Sequence, residues 1–167
     1  MSLRRGMIAA LLLAGLTVLG ARADTPLEPL SAFPRSLLEI KTRAGSVHHF
    51  SIWIADRPAR QEQGLMFVRQ LPDHTGMLFP YRQDRRITMW MKNTLIPLDM
   101  VFIGADGRIA HIAASTTPQS LDIIAAPDPV RAVLELAGGS TQDLGIRVGD
   151  QVYSDALPAS RRRSRTP

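Results

Sequence analysis

The alternation of apolar and polar positions is clearest over residues 87–112. Ile87, Met89 and Met91 alternate with Thr88, Trp90 and Lys92. After the break at 93–97, Leu98, Met100 and Phe102 alternate with Asp99, Val101 and Ile103. A period of two predicts strands. Paired as an antiparallel hairpin with Met91 facing Met100 or Leu98, the two runs stack one apolar, Met-rich face. The same parity brings Lys92 and Asp99 together beside Trp90, and a one-residue slip would push Asp99 onto the apolar side. Both faces of the second run are largely apolar, as in a central strand covered on both sides. Gly104-Ala105-Asp106-Gly107 then reads as a hairpin turn into a third strand over 108–114.

The rest of the chain follows the same logic. Residues 36–41 form a short strand candidate. In 47–55, Phe50, Ile52 and Ile54 point one way and His49, Ser51 and Trp53 the other. His48 and His49 therefore face opposite sides and cannot chelate one metal within a regular strand. Residues 77–79 read as a short apolar strand and 81–86 as a solvated connection. Over 130–136, Val130, Ala132, Leu134 and Leu136 alternate with Arg131, Val133 and Glu135, and 151–153 suits an edge strand. Two short helices are expected. One has Asp56 as N-cap, Pro58 in its first turn and Gly64 just past its end. The other spans 141–146, where Ser140 and Asp143 resemble a capping box. Segments 42–46, 71–76, 115–119 and 125–129 read as turns and loops. Many short strands with one or two short helices make the expected fold mainly β, a compact antiparallel sandwich, in a single domain over 37–156.

The termini change the picture of charge and location. Arg4 and Arg5 precede an uncharged apolar run over 7–20 and the small-x-small triplet Ala21-Arg22-Ala23. This is the pattern of a secretory signal peptide over 1–23, too short for a comfortable transmembrane helix of about 20 residues. Cleavage after Ala23 would leave no membrane span, and retention as an anchor is the alternative. The expected location is periplasmic or extracellular. The Pro-rich stretch 24–36 reads as an extended linker, and 157–167, with Arg161, Arg162, Arg163 and Arg165, as a basic disordered tail. The formal charge of +5 comes from these ends: between Asp24 and Ser160 there are 13 basic and 15 acidic residues, a net of −2. Nucleic-acid binding, which needs clustered positive charge on the fold, is not expected. Absence of cysteine excludes disulfides and thiolate chemistry.

Several short motifs occur in order: Gln63-Gly64-Leu65-Met66-Phe67, Gly76-Met77-Leu78-Phe79, Trp90-Met91-Lys92-Asn93-Thr94, Pro97-Leu98-Asp99-Met100, Asp106-Gly107-Arg108-Ile109, Val133-Leu134-Glu135-Leu136 and Gly149-Asp150. Together they resemble the domain-of-unknown-function family numbered 192, over roughly 40–153. The resemblance implies a jelly-roll type of sandwich and frequent export, and supplies no biochemical activity. The sequence departs from the family pattern at Ala137-Gly138-Gly139, where an aromatic usually follows the first glycine.

The candidate chemistry centres on the polar break. Trp90, Lys92, Asn93, Thr94 and Asp99, with Arg69 nearby, could grip a small or polymeric polar ligand of the cell envelope through charge-assisted hydrogen bonds. The structural alternative is a Lys92–Asp99 ion pair with Asn93 in left-handed geometry and Thr94 bonded to the loop backbone. Asp99, partly desolvated, is expected to find partners in Lys92 or the 93–97 backbone. A non-catalytic binding module is the leading function. A cell-envelope hydrolase is a second, although no nucleophile-elbow, Ser-x-x-Lys or zinc-protease motif is present. Copper handling is a third, because Met66, Met77, Met89, Met91 and Met100 cluster in sequence and thioethers bind Cu(I). Core packing explains methionines equally. No cofactor or metal motif is present, so none is expected.

Overall fold

The computed structural model describes residues 27–157. The expected signal peptide over 1–23 lies outside that range, as does all of the expected basic tail but Leu157. The strands are β1 (Arg35–Lys41), β2 (Val47–Ile54), β3 (Thr75–Arg85), β4 (Thr88–Met89), β5 (Leu98–Ile103), β6 (Ile109–Ala113), β7 (Ile124–Ala125), β8 (Val130–Ala137) and β9 (Gln151–Tyr153). Two short helices accompany them, α1 (Pro58–Gln63) and α2 (Ser140–Asp143). Seven strands make one curled sheet in the order β6-β5-β8-β3-β2-β1-β9, antiparallel except for the β2–β3 pair. The sheet curls into a half-barrel, so the mainly β, sandwich-like expectation with two short helices holds.

The curl divides the core in two. Phe50, Ile52, Leu78, Val101, Ile103 and Leu134 face inward, and Ile146, just beyond α2, packs with them. Met77, Phe79, Met100, Phe102 and Val133 face outward. There the chain itself covers them, with Leu65 after α1, Ile87 just before β4 and Met91 between β4 and β5. β5 and β8 are thus buried on both faces, which explains their double-sided apolar patterns.

Several expectations are corrected. The first apolar run does not form a hairpin with β5. β5 pairs locally with β6 through the expected Asp106-Gly107 turn, and its other side takes β8 in register from Leu98↔Ala137 to Ile103↔Ala132. Only Thr88–Met89 of the first run is strand, and it pairs with β7, whose Ala125 is the first residue of the segment expected to be a loop. Asp99 therefore lies on the inward face with Val101 and Ile103, away from Trp90 and Lys92. β3 runs on to Arg85 through the segment expected to be a solvated connection, with its pairing to β8 interrupted between Pro80 and Arg85. Asp56 does not cap α1. Arg57 occupies that position without a side-chain bond, and Asp56 pairs with Arg60 at 2.9 Å. The first residue of the Ser140 capping box is itself helical; Gly139 precedes it.

The stretch expected to be an extended linker is docked where it is described. The Glu28 amide donates to Gln63 Oε1 at 2.7 Å, and Gln63 Nε2 donates to the Glu28 carbonyl at 2.7 Å. The Glu28 carboxylate receives Arg57 and Arg60, and the Arg60 guanidinium stacks 5.0 Å from the centre of the buried Phe33 ring. This strap fixes α1 on the outer face, where two helical turns alone would be unstable. Among the described residues no helix is long and apolar enough to cross a membrane.

Candidate functional site

The strand β8 carries Glu135 onto the outward face of the sheet. Its direct cross-strand neighbours are Met77 on β3 and Met100 on β5, both fully buried. Gly76 allows this close setting: a Cβ there would stand 2.5 Å from the Glu135 carbonyl oxygen. Phe79 and Tyr81 continue the same face of β3. Glu135 is only 4 % exposed, and its Oε2 is buried without a hydrogen-bond partner among the described residues.

The roof above Glu135 consists of two turns tied together. α1 ends at Gly64, whose φ of 51° and ψ of −134° suit glycine alone. A Cβ there would also stand 3.4 Å from Phe79 and 4.0 Å from Glu135 Oε2. The second turn runs through 91–94, where Asn93 adopts a φ of 57° and the Thr94 amide donates to the Met91 carbonyl at 3.0 Å. The Asn93 carbonyl accepts the Phe67 amide at 2.9 Å, and Asn93 Nδ2 reaches Met66 Sδ at 3.8 Å. Between the turns opens a narrow cavity of about 90 Å³. Glu135, Phe79 and Tyr81 line it from the sheet; Gln61, Glu62 and Met66 from α1 and its turn; and Met89, Trp90, Lys92 and Thr94 from the other side. Trp90 is 48 % exposed at the rim, and Lys92 Nζ lies 5.3 Å from its ring centre.

Burial shapes the acid–base character of the site. It pushes the Glu135 carboxyl up to about 8, because an apolar setting penalises the charged form. The Tyr81 phenol is raised as well, chiefly by burial. Arg85 acts against that shift and Glu135 adds to it. A carboxyl in this state holds its proton at neutral pH and can donate one hydrogen bond, or it can ionise when a cation compensates.

The candidate residues of the polar break separate into three groups. Trp90, Lys92 and Thr94 line the cavity. Asn93 fixes the roof. Arg69 is exposed and does not line the cavity, and Asp99 lies on the other side of the sheet. Asp99 is fully buried, and its partners are neither Lys92 nor the 93–97 backbone. Its Oδ1 accepts the amides of Ser115 at 2.7 Å and Gly139 at 3.0 Å. Its Oδ2 accepts the Thr141 amide at 2.8 Å and the Thr141 hydroxyl at 2.7 Å. Asp99 thereby anchors α2 against one end of the half-barrel, a structural role.

Sequence reasoning passed over Glu135. Alternation grouped it with Arg131 and Val133, which reads as a partly solvated face. The available signal was the apolar character of both neighbouring strands on that face. Of the five methionines between 66 and 100, Met66 and Met89 line the cavity and Met77 and Met100 flank Glu135. Met91 Sδ accepts the Thr116 hydroxyl at 3.1 Å. No group of three or more His, Asp or Glu converges as a metal site among the described residues. A wider, open hollow of about 700 Å³ runs along β1, β9 and the 104–107 turn. It contains no buried polar side chain without a partner.

Comparison with known proteins places the chain in a family. The family model DUF192, described as "Uncharacterized ACR", matches residues 39–154. The chain belongs to this family. A crystal structure from Sinorhizobium meliloti, described as that of a candidate transcription regulator, shares 39 % identity with this DUF192 chain. The match covers 75 % of this chain and 97 % of that one with a TM-score of 0.73. A protein of unknown function from Novosphingobium aromaticivorans shares 38 % identity over 77 % of this chain and 91 % of that one, with a TM-score of 0.72. No curated protein matches the chain. The DUF192 match spans every residue of the cavity named above.

Proposed function

We propose that this DUF192 protein is an exported, non-catalytic binding module whose cavity takes a polar ligand of the cell envelope. One observation carries the reading: the Glu135 Oε2 is buried, unpartnered and set at the floor of a cavity that opens between two pinned turns. A buried polar group without a partner costs free energy. A protein retains it at least expense when a ligand completes the bond. The exposed Trp90 and Lys92 at the rim supply a stacking surface and a donor. Export rests on the Arg4-Arg5 start, the apolar run and Ala21-Arg22-Ala23. A regulator acting on DNA, as the Sinorhizobium protein is described, would need a basic face. The balance of 13 basic to 15 acidic residues between Asp24 and Ser160 argues against that.

Thermal-shift measurements on the purified protein with sugars, peptidoglycan fragments and amines test the reading. Ligands that bind the native state raise the melting temperature by mass action. One class should raise it by several degrees, and Trp90→Ala with Lys92→Ala should remove the rise. A panel without any shift, or a shift that survives the double substitution, would overturn the proposal. Sequencing the N-terminus of the protein recovered from the periplasm should begin at Asp24.

A further inference from the structure

The cavity's chemistry narrows the ligand class, and this step rests on the binding reading above. The floor group is a carboxyl whose Oε2 has no partner. The walls are the Phe79, Tyr81 and Trp90 rings and the Met66 and Met89 thioethers. Such surfaces attract cations through ring quadrupoles and polarisable sulfur while offering anions nothing. At the mouth stands a second acidic residue, Glu62. An anionic ligand would face two carboxyl groups, and a cation finds both favourable. The chain itself shows that the wall accepts an alkylammonium, since the Lys92 Nζ rests 5.3 Å from the Trp90 ring centre. A cavity of about 90 Å³ admits a slim stem and its head group but not a whole sugar ring.

We infer that the cavity binds the primary ammonium of an organic amine, paired with the carboxylate of Glu135. The proton balance is explicit. Neutral Glu135 and the ammonium combine, the Glu135 proton passes to solvent, and an ion pair remains in the cavity. The titratable or charged groups facing Glu135 are Glu62 from α1, Tyr81 from β3, with Arg85 beyond it, and Lys92 from the roof. Glu62 favours the incoming cation. Lys92, already seated on Trp90, sets the mouth's limit on further positive charge.

The test is calorimetric titration of the purified protein with n-butylammonium, glucosamine, n-butanol and n-butyrate, in two buffers of different ionisation enthalpy. n-Butylammonium should bind at pH 7 with release of close to one proton. Its affinity should rise about tenfold between pH 6 and pH 7, because ionisation of one group precedes pairing. Glucosamine carries its amine directly on a sugar ring and should bind far more weakly than n-butylammonium, whose binding supports the inference. Glu135→Gln should weaken amine binding at least tenfold and abolish the proton release. The release seen with the unaltered protein decides the matter should that variant misfold. Equal binding of n-butanol or n-butyrate, or amine binding unchanged in Glu135→Gln, would overturn the cation inference and leave a polar-ligand site standing. A parallel anaerobic titration in which Cu(I) binds and neither amine does would replace the organic cation by a soft metal. No binding by any of these probes would overturn the amine inference alone, and the polar-ligand reading would then stand or fall on the thermal-shift panel of sugars and peptidoglycan fragments.

Discussion

Two acidic residues on neighbouring strands meet opposite fates. Asp99 on β5 sits opposite Leu136, and Glu135 on β8 sits opposite Met100, so one residue of offset sends them to opposite faces of the same sheet. Both are buried. Asp99 accepts four hydrogen bonds from Ser115, Gly139 and Thr141. Glu135 Oε2 receives none among the described residues. The first carboxylate stabilises by organising the α2 end of the half-barrel. The second destabilises the chain around it, a cost that the proposed binding role would account for.

The comparison is broken most severely by removing Asp99. Asp99→Ala leaves three amides and a hydroxyl without their acceptor and should cost on the order of 3–5 kcal/mol in urea unfolding. Glu135→Gln should instead stabilise, and the gain should depend on pH. The folded carboxyl, raised to about 8 from 4.5, keeps its proton where the unfolded chain has released it. The unfolded state then binds fewer protons, so stability of the unaltered protein falls as pH rises from about 4.5 to about 8, by at most about 1.4 kcal/mol per unit. It is fully present below that window and levels off above it. Glu135→Gln should flatten this slope in thermal melts taken across the window, and a slope left intact would mean that Glu135 is not its source.

Gly64→Ala acts on the roof. Its strained φ and the contact with Phe79 should cost about 1–3 kcal/mol, and the narrowed cavity should lose ligand binding beyond that cost, as read by calorimetry. The smallest effect separates the two carboxyl groups most sharply. Lys92→Met removes no ion pair, only the contact with the exposed Trp90, and should change stability by less than about 1 kcal/mol. A loss comparable to that of Asp99→Ala would restore the Lys92–Asp99 pairing that the parity of the first run suggested.

Much of the fold was legible because alternation is local. β1, β2, β5, β6 and β8 fall where Phe50, Ile52, Met100 and Leu134 alternate with their neighbours, and the Asp106-Gly107 hairpin follows from turn chemistry. Pairing was not legible. The first run and β5 alternate equally well, and nothing local states that β5 takes β8 as its second neighbour, more than 25 residues further along. That non-local choice decides which face Asp99 joins, and so decides who its partners are. The site was half visible. Trp90, Lys92 and Thr94 were marked by their place in an apolar run, and they line the cavity. Glu135 escaped because a carboxylate on an alternating strand looks solvated until the covering layer is known. Glu28 escaped for a similar reason: three prolines suggested a free linker, yet its carboxylate and backbone clamp α1.

The seam of the curled sheet has a consequence for how these molecules behave in company. β9 has only three residues and pairs with β1. Its far side meets the start of β6 through the Arg108–Gln151 bridge and the Val152 amide to Gly107 carbonyl bond of 2.8 Å. Open sheets usually aggregate by adding a foreign strand to an exposed border. Here each border blocks part of the other, so a second molecule finds only a short stretch of unpaired backbone. Concentrated solutions should therefore resist fibre formation until the seam opens. Val152→Pro, which removes the amide bonded to the Gly107 carbonyl across that seam, is the change most apt to start it.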